Sequence, residues 1–343
     1  MRFELTLLCF LSFFCLLTMG ENAQQDYMVI DLAGEGSALH YPCRYSMAPP
    51  DLDRDSCRTT ELWLRRVPAG TFEMGSPETE IGYSSREKLH KVTLSQGFYI
   101  GIFTITGFQW EVIMGTKPGQ FSDPAKYACR PVDCISYDMI RGDSPQGGGG
   151  WPGSGHAVDA SSFLGILRQK TGLLFDLPTE AQWEYACRAG SSTAFNTGKG
   201  ITAREFCPNL SEAGRFSFNG GIVKLADGTR KYGGTAAVGS YTGNAWGVYD
   251  MHGNVWEWCL DWHNAETTDI PVVDPWGAQV GIHRQLRGGA WSHHALHCRA
   301  AYRTAYRKSN SVEYGSGIGF RVILLTTGHS PEQFKEGRSK LQK

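Results

Sequence analysis

Glycine recurs so often along this chain that few helices or strands can grow long. The 343 residues include 42 glycines and 15 prolines. Glycine in the middle of a helix or strand is destabilising, and proline interrupts backbone hydrogen bonding. Ten tryptophans supply large apolar side chains that can fill the space between short elements. The pattern therefore predicts a turn-rich domain with little regular secondary structure and a core of large aromatic residues.

The amino-terminal segment is typical of a secretory signal. Arg2 precedes an apolar run from residue 5 to residue 17, which is shorter than the about 20 apolar residues that a membrane-spanning helix needs. We therefore predict a signal peptide over residues 1–23. The protein is then expected to be secreted or periplasmic, with no membrane span after signal removal. Its formal net charge of −1 gives no electrostatic reason to expect a nucleic-acid partner.

Eight of the ten cysteines lie outside the predicted signal peptide. An even number of cysteines in an oxidising compartment permits disulfide bonds. Cys43 and Cys57 flank a turn-rich stretch and form one candidate pair, and Cys129 and Cys134 form another. Neither pair has the doubled short spacing that is typical of a structural zinc site. The disulfide pattern stays open at the level of the sequence.

Hydrophobic patterning divides the rest of the chain into segments. Residues 24–60 read as an N-terminal extension that opens with a strand, YMVIDL. Residues 61–326 form the main domain, whose first part, ELWLRRVPAGTFEMGS and HKVTLSQGFYIGIFTIT, alternates in the manner of strands. The glycine-rich stretch 141–155 predicts a loop, and residues 327–343 predict a polar C-terminal tail.

Two helices are predicted from their capping signals. Asp159 is the expected N-cap of a helix over residues 159–171, which Gly172 ends. Thr179 is the expected N-cap of a second helix over residues 179–189, in which a glutamine three positions later completes a capping box. No other segment of the domain predicts a helix as clearly.

Four local patterns follow one another across the main domain. They are VPAGTFEMGS (67–76), FDLPTEAQWEYACRAG (175–190), NAWGVYDMHGNVWEW (244–258), and LRGGAW (286–291) with GIGFRV (317–322). Together they resemble the family of formylglycine-generating enzymes, also called sulfatase-modifying factors. The resemblance implies an α+β fold of the C-type-lectin-like kind with low regular secondary-structure content, which agrees with the glycine-rich composition.

The segment DMHGNVWE is a candidate calcium site. Asp250 and Glu257 bracket a Gly-Asn turn, so two carboxylates and several backbone carbonyls can converge on one hard cation. The alternative is that both acids cap neighbouring amides. The resemblance implies a structural calcium ion held by the side chains of Asp250 and Glu257 and the backbone oxygens of Gly253 and Val255. It places a second calcium site near residues 209–210, whose remaining ligands cannot be located in the sequence.

The segment RGGAWSHHALHC, residues 287–298, is the candidate reaction centre. The resemblance implies oxidation of a substrate cysteine by molecular oxygen, with copper(I) held by two cysteines five residues apart. Cys298 stands at the second cysteine position, whereas His293 stands at the first and Ala290 replaces a serine of the same site. Trp256 matches an active-site tryptophan. Thiolates suit copper(I), and imidazole is also an acceptable copper ligand.

The same segment also has a simpler interpretation. Cys298 can be a small buried residue without a reactive thiol, and His293, His294 and His297 can be loop residues that are solvated or hydrogen-bonded. Cys187, on the second predicted helix, is expected to be packed, because reactive thiols need exposure and a positive neighbourhood.

Two functions from different classes follow. The first is an enzyme that converts a cysteine of an exported sulfatase to formylglycine, with calcium and copper as cofactors. The second is a non-catalytic C-type-lectin-like binding module that recognises an extracytoplasmic protein or glycan. The family resemblance favours the first, and the residues at positions 290 and 293 favour the second. The fold cannot separate the two, since one scaffold supports both.

Overall fold

The computed structural model describes residues 26–33, 40–119, 127–143, 156–224, 230–264, 268–307 and 317–325. The predicted signal peptide, most of the glycine-rich stretch 141–155 and the predicted tail lie outside the described residues. Within the described part of the chain, no helix is long and apolar enough to cross a membrane.

Short strands make up most of the regular structure, as the glycine content predicts. They are β1 (Tyr27–Asp31), β2 (Cys43–Ser46), β3 (Glu61–Val67), β4 (Gly70–Met74), β5 (His90–Leu94), β6 (Phe98–Gly101), β7 (Phe175–Asp176), β8 (Ile222–Lys224), β9 (Arg230–Tyr232), β10 (Trp256–Trp262), β11 (Val272–Val273), β12 (His283–Arg287), β13 (Thr304–Arg307), β14 (Ile318–Gly319) and β15 (Ile323–Leu325). The α-helices are α1 (Gly107–Met114), α2 (Tyr137–Arg141), α3 (Phe163–Thr171) and α4 (Glu180–Arg188). Short 3-10 turns include Ser85–Glu87, Pro208–Leu210 and Ala295–Cys298.

The strands form four sheets among the described residues. The largest has the order β2-β1-β3-β6-β15-β7 and is antiparallel throughout. A four-stranded sheet has the order β13-β12-β10-β14, and a three-stranded sheet has the order β11-β5-β4. Strand β1, in the predicted N-terminal extension, pairs along its whole length with β3, so it shares one sheet with the main domain. The late strand β15 pairs with β6 in the same sheet.

One of the two predicted helices begins later than its capping signal suggested. Helix α4 has the predicted capping box, in which the Thr179 hydroxyl accepts a hydrogen bond from the Gln182 amide. Helix α3 begins at Phe163, and its N-cap is Ser162 rather than Asp159. The Asp159 carboxylate instead accepts a hydrogen bond from the Asp143 amide, 3.0 Å away, so it is used in the preceding loop.

Aromatic side chains fill the core, as predicted. Trp110, Trp183 and Trp258 are fully buried. Trp110 stacks on Phe163 of α3, with ring centroids 5.3 Å apart, and the edge of Phe320 packs against Phe163 at 5.0 Å. Large rings therefore join the helices to the sheets across the gaps that short elements leave.

Buried ion pairs connect segments that are distant in sequence. Arg321 donates two hydrogen bonds to the Glu257 carboxylate, at 2.6 and 2.7 Å, and both side chains have no solvent exposure. The Trp183 indole donates a third, at 2.8 Å. Glu184 of α4 forms a second buried ion pair, with Arg287 at the end of β12. A buried carboxylate is stable only when it is paired and hydrogen-bonded, so these contacts hold β10, β12 and α4 together.

Neither candidate disulfide is formed. The thiol of Cys57 is buried and donates to the Arg54 carbonyl, 3.1 Å away, whereas Cys43 lies exposed on β2. Cys129 also keeps a free thiol, whose pKa is raised to about 11 by burial and by Asp55. The sequence could not predict this, because pairing depends on the distance and direction of the Cβ atoms.

Replacing Arg321 with methionine should lower the free energy of unfolding by about 3–5 kcal/mol, because the change leaves the buried Glu257 carboxylate without its cation. Arg44→Met is the matched control, since Arg44 pairs with Glu61 but its side chain is 51% exposed. That change should cost at most about 1 kcal/mol. Urea unfolding followed by tryptophan fluorescence measures both. Equal losses would show that the buried pair has no special importance.

Candidate functional site

The candidate site begins at a turn of two glycines after β12. Gly288 and Gly289 have φ angles of 94° and 79°, a region in which residues with a side chain are strained. A Cβ atom added to Gly289 would lie 2.5 Å from the Cys298 sulfur. This turn therefore requires glycine, and it brings residue 298 back against the residues that follow β12.

A second turn, at residues 250–254, packs against the first. Asp250, Gly253 and Asn254 all have positive φ angles, of 58°, 87° and 65°. The Gly253 amide donates to the Gly288 carbonyl at 2.7 Å, and the Trp291 amide donates to the Asn254 carbonyl at 2.9 Å. These hydrogen bonds fix the candidate calcium segment against the candidate copper segment.

Cys298 lies in the core. Its exposed fraction is 0%, and burial raises the pKa of its thiol well above the usual range. The apolar cluster around it consists of Ala194, Phe195, Ile201, Cys207, Leu210, Ala213, Phe216 and Ala295. A buried thiol in apolar surroundings stays protonated and unreactive, so the structure agrees with the simpler interpretation of this residue. Cys187 is also fully buried, as predicted, with the pKa of its thiol raised to about 12.

His293 lies in a different environment from Cys298. Its ring packs edge-on against Trp256, with centroids 5.2 Å apart. Burial, together with the neighbouring His297 and His294, lowers the pKa of His293 to about 4. The ring is therefore neutral at physiological pH and can offer a nitrogen lone pair to a ligand.

The three histidines of this segment, which share no helical face in sequence, are brought together by the tertiary structure. With Trp256 and Tyr302 they form an aromatic–histidine cluster: Trp256, His293, His294, His297 and Tyr302. The His297 ring lies 5.4 Å from His293 and 4.9 Å from Tyr302. His294 is exposed, and Nδ1 of His297 is a buried atom with no hydrogen-bond partner. The cluster thus combines two histidines of lowered pKa, His293 and His297, with one exposed histidine, His294.

The donor set differs from the copper pair that the resemblance implies. One thiol and one imidazole replace two thiols, and Ala290, fully buried, supplies no hydroxyl. Within the described ranges, no three His, Cys, Asp or Glu side chains lie together in a way that could hold a metal ion. The residues present therefore do not fit a two-thiolate copper(I) site.

Asp250 fits the calcium prediction. It is buried, its Oδ2 accepts a hydrogen bond from the Gly239 amide at 2.7 Å, and its Oδ1 has no hydrogen-bond partner. Burial raises the pKa of Asp250 to about 6. A cation near Oδ1 would satisfy this carboxylate, and the adjoining backbone oxygens of Gly253 and Val255 are the further ligands that the resemblance implies.

Glu257 has other partners. Its Oε2 accepts from Arg321 and Trp183, and its Oε1 accepts from Arg321. A calcium ion would have to share this carboxylate with a guanidinium group. At the second calcium site that the resemblance implies, near residues 209–210, the Asn209 side-chain amide donates to the Gly200 carbonyl at 2.8 Å. Residues 225–229 lie outside the described residues. Both calcium assignments stay predictions.

His252 is a residue of the site that sequence reasoning missed. It is fully buried, its Nδ1 lies 2.7 Å from the Cys298 carbonyl oxygen, and its Nε2 accepts from the Asn196 amide at 3.0 Å. The geometry requires a neutral ring protonated at Nδ1, and burial lowers the pKa of His252 to about 4. His252 therefore fixes the backbone at Cys298. In the sequence, His252 could have been singled out only because it lies within the segment DMHGNVWE.

The fold is an α+β domain. In it, two turns with positive φ angles hold the loop that carries His293, His294 and His297 next to β10. The chain belongs to the family described as the sulfatase-modifying factor enzyme 1-like domain, whose family model matches residues 55–325. The predicted family and the predicted fold class are both confirmed.

Relatives in this family carry the name formylglycine-generating enzyme. The protein of that name from Bos taurus is 28% identical over 95% of this chain and 96% of its own length. The one from Streptomyces coelicolor is 37% identical, over 46% of this chain and only 49% of its own length. Among solved structures, PvdO from Pseudomonas aeruginosa superposes with a TM-score of 0.56 at 26% identity, covering 77% of this chain and 94% of PvdO.

Calcium should raise the Tm of the wild-type protein relative to chelator, because an ion that binds only the folded state stabilises it by mass action. Asp250→Ala should remove this difference, whereas Asp53→Ala, at an exposed acid, should retain it. Differential scanning calorimetry measures the three proteins. If the wild-type Tm is the same with calcium and with chelator, Asp250 is a turn residue and the calcium prediction is wrong.

Proposed function

We propose that this protein is an exported member of the family that binds a segment of another exported protein at the aromatic–histidine cluster and does not oxidise cysteine. The observation that carries the proposal is the difference between the surroundings of His293 and those of the Cys298 thiol. The first lies on Trp256 in the cluster, and the second lies in the apolar core. This arrangement can bind a protein segment, but it lacks the two thiolates that the oxidase uses to hold copper.

The chemistry of the cluster suits binding. Its rings can stack on or pack against an apolar or aromatic side chain of a ligand. Imidazole rings accept or donate single hydrogen bonds, and the ring of His294 is exposed to a ligand. Aromatic side chains next to a few convergent polar atoms are typical of binding pockets. A sulfatase is the first candidate partner, because the related proteins are named for formylglycine generation.

The oxidase is the second candidate function. It is favoured by the neutral ring of His293, which holds the position of the first copper cysteine and keeps contact with Trp256. Copper(I) bound by one thiolate and one imidazole would have one anionic ligand fewer than the paired-cysteine site, so its affinity would be lower.

The purified mature protein, loaded with copper, should not convert a peptide of the Cys-x-Pro-x-Arg pattern to its aldehyde. The double variant Ala290→Ser with His293→Cys restores the two residues that the family resemblance implies and should gain conversion. The mass of the peptide, followed over time, measures both. Robust turnover by the wild-type protein would overturn the proposal and establish the oxidase.

The same peptide with serine in place of cysteine should still bind to the wild-type protein. His294→Ala should weaken binding by about tenfold, the effect of about 1.4 kcal/mol of lost contact, because His294 is the exposed member of the cluster. His283→Ala, at an exposed histidine on β12, is the matched control and should bind as the wild type does. Isothermal titration calorimetry measures the affinities. No binding by the wild-type protein would exclude a sulfatase-type partner.

A further inference from the structure

Two exposed phenylalanine rings lie beside the aromatic–histidine cluster. Phe206 is 52% exposed and Phe218 is 47% exposed, and their rings meet edge to face with centroids 5.7 Å apart. The Phe218 ring also lies 5.9 Å from the ring of His294, the exposed member of the cluster. These two rings, which we call the phenyl pair, therefore continue the exposed surface of the cluster with apolar groups.

A hydrogen-bonded turn fixes one ring of the phenyl pair. The Arg215 guanidinium group donates to the carbonyl oxygens of Asn219 and Gly220, at 3.0 and 2.7 Å. The Asn219 side-chain oxygen accepts from the Phe216 amide at 2.8 Å. The fully buried ring of Phe216 lies 6.3 Å from that of Phe218. Phe218 is thus held from below by the core and from both sides by its own turn.

Backbone hydrogen bonds join both halves of the phenyl pair to the histidine loop. Ser217 and Glu205 immediately precede the two phenylalanines in the sequence. The Ser217 amide donates to the His293 carbonyl at 3.0 Å, and the Ala295 amide donates to the Glu205 carbonyl at 3.2 Å. The phenyl pair therefore keeps a fixed position relative to the cluster, and a ligand does not have to order it first.

The surroundings of the phenyl pair favour an uncharged ligand group. Exposed apolar side chains that adjoin one another and have polar neighbours often mark interaction sites, whereas isolated ones need no explanation. The segment that carries Phe206 also carries Arg204 and Glu205, which are both exposed and of opposite charge. Their charges compensate, so this segment gives no preference for a charged ligand.

We propose that the phenyl pair extends the binding site of the aromatic–histidine cluster and takes an aromatic side chain of the bound protein segment. This inference rests on the proposed function, since it names a feature of the segment that the cluster binds. Aromatic rings attract one another in edge-to-face and offset arrangements beyond the effect of the apolar area that they bury. A third ring is therefore favoured over an aliphatic side chain of the same size.

The spacing of the rings also limits where the aromatic residue lies in the bound segment. In an extended segment, side chains two residues apart point to the same face and lie about 7 Å apart. The Phe218 ring is 5.9 Å from the His294 ring. A residue two positions from the one that contacts His294 can therefore reach the phenyl pair, whereas the residue between them points to the opposite face.

The test uses a parent peptide, Ser-x-Pro-x-Arg with alanine at each x and three alanines at each end, and a series in which phenylalanine replaces one alanine at a time. Isothermal titration calorimetry measures their affinity for the wild-type protein. Phenylalanine at one position should raise the affinity at least about tenfold, and phenylalanine at the positions next to it should raise it less. Cyclohexylalanine at the same position, which has no aromatic ring, should also raise it less.

Leucine variants show whether the phenyl pair produces this gain. Phe206→Leu and Phe218→Leu keep an apolar side chain but remove a ring, so each should bring the affinity of the best phenylalanine peptide to within about threefold of the parent peptide. Met47→Leu, at an apolar residue that is also exposed, is the matched control and should retain the full gain. Circular dichroism verifies that each variant is folded.

The outcomes separate this inference from the proposed function. If the parent peptide binds and no phenylalanine raises its affinity, or if both leucine variants keep the full gain, the inference is overturned and the proposed function stands. If no peptide of the series binds, both are overturned. Analytical ultracentrifugation tests a second copy of the chain as the occupant. A wild-type dimer that Phe206→Leu or Phe218→Leu dissociates would also overturn the inference.

Discussion

The buried pair of Glu257 and Arg321 is the contact on which the rest of the structure most depends. The two residues lie 64 positions apart, and Trp183, which donates to the same carboxylate, lies 74 positions before Glu257. Three distant segments therefore meet at one buried charge. Large aromatic side chains fill the space between the short strands, and directional contacts such as this pair fix how those segments meet. Removing one partner would leave an uncompensated charge in the core, which is far more costly than losing an exposed pair.

Backbone hydrogen bonds, rather than the side chains at positions 290 and 293, set the shape of the candidate site. The two left-handed turns, at residues 250–254 and 288–289, are joined by backbone hydrogen bonds that do not depend on the side chains at 290 or 293. His252 adds a further contact to the Cys298 carbonyl. The backbone contacts of the candidate site therefore do not require particular side chains at positions 290 and 293. Membership of the family and possession of its oxidase chemistry are therefore separate questions.

Local sequence signals predicted the local structure well where no distant partner competed. The capping box at Thr179 started a helix as expected, because its hydrogen bonds lie within four residues. Asp159 failed as an N-cap because its carboxylate binds the amide of Asp143, in a loop that the helix pattern does not include. The candidate pair of Cys43 and Cys57 failed for a similar reason, since one residue lies on an exposed strand and the other faces the core.

The sequence by itself determined the family, the aromatic core, the helix that begins after Thr179, and the identities of Ala290, His293 and Cys298. These follow from local conformational preference, from side-chain volume and from the order of motifs. Only the tertiary structure decided that Cys298 lies in an apolar cluster, that His293 packs on Trp256, and that Glu257 faces Arg321. The physical reason is that burial and partner distance set the charge and reactivity of a side chain, and both are properties of the packed chain.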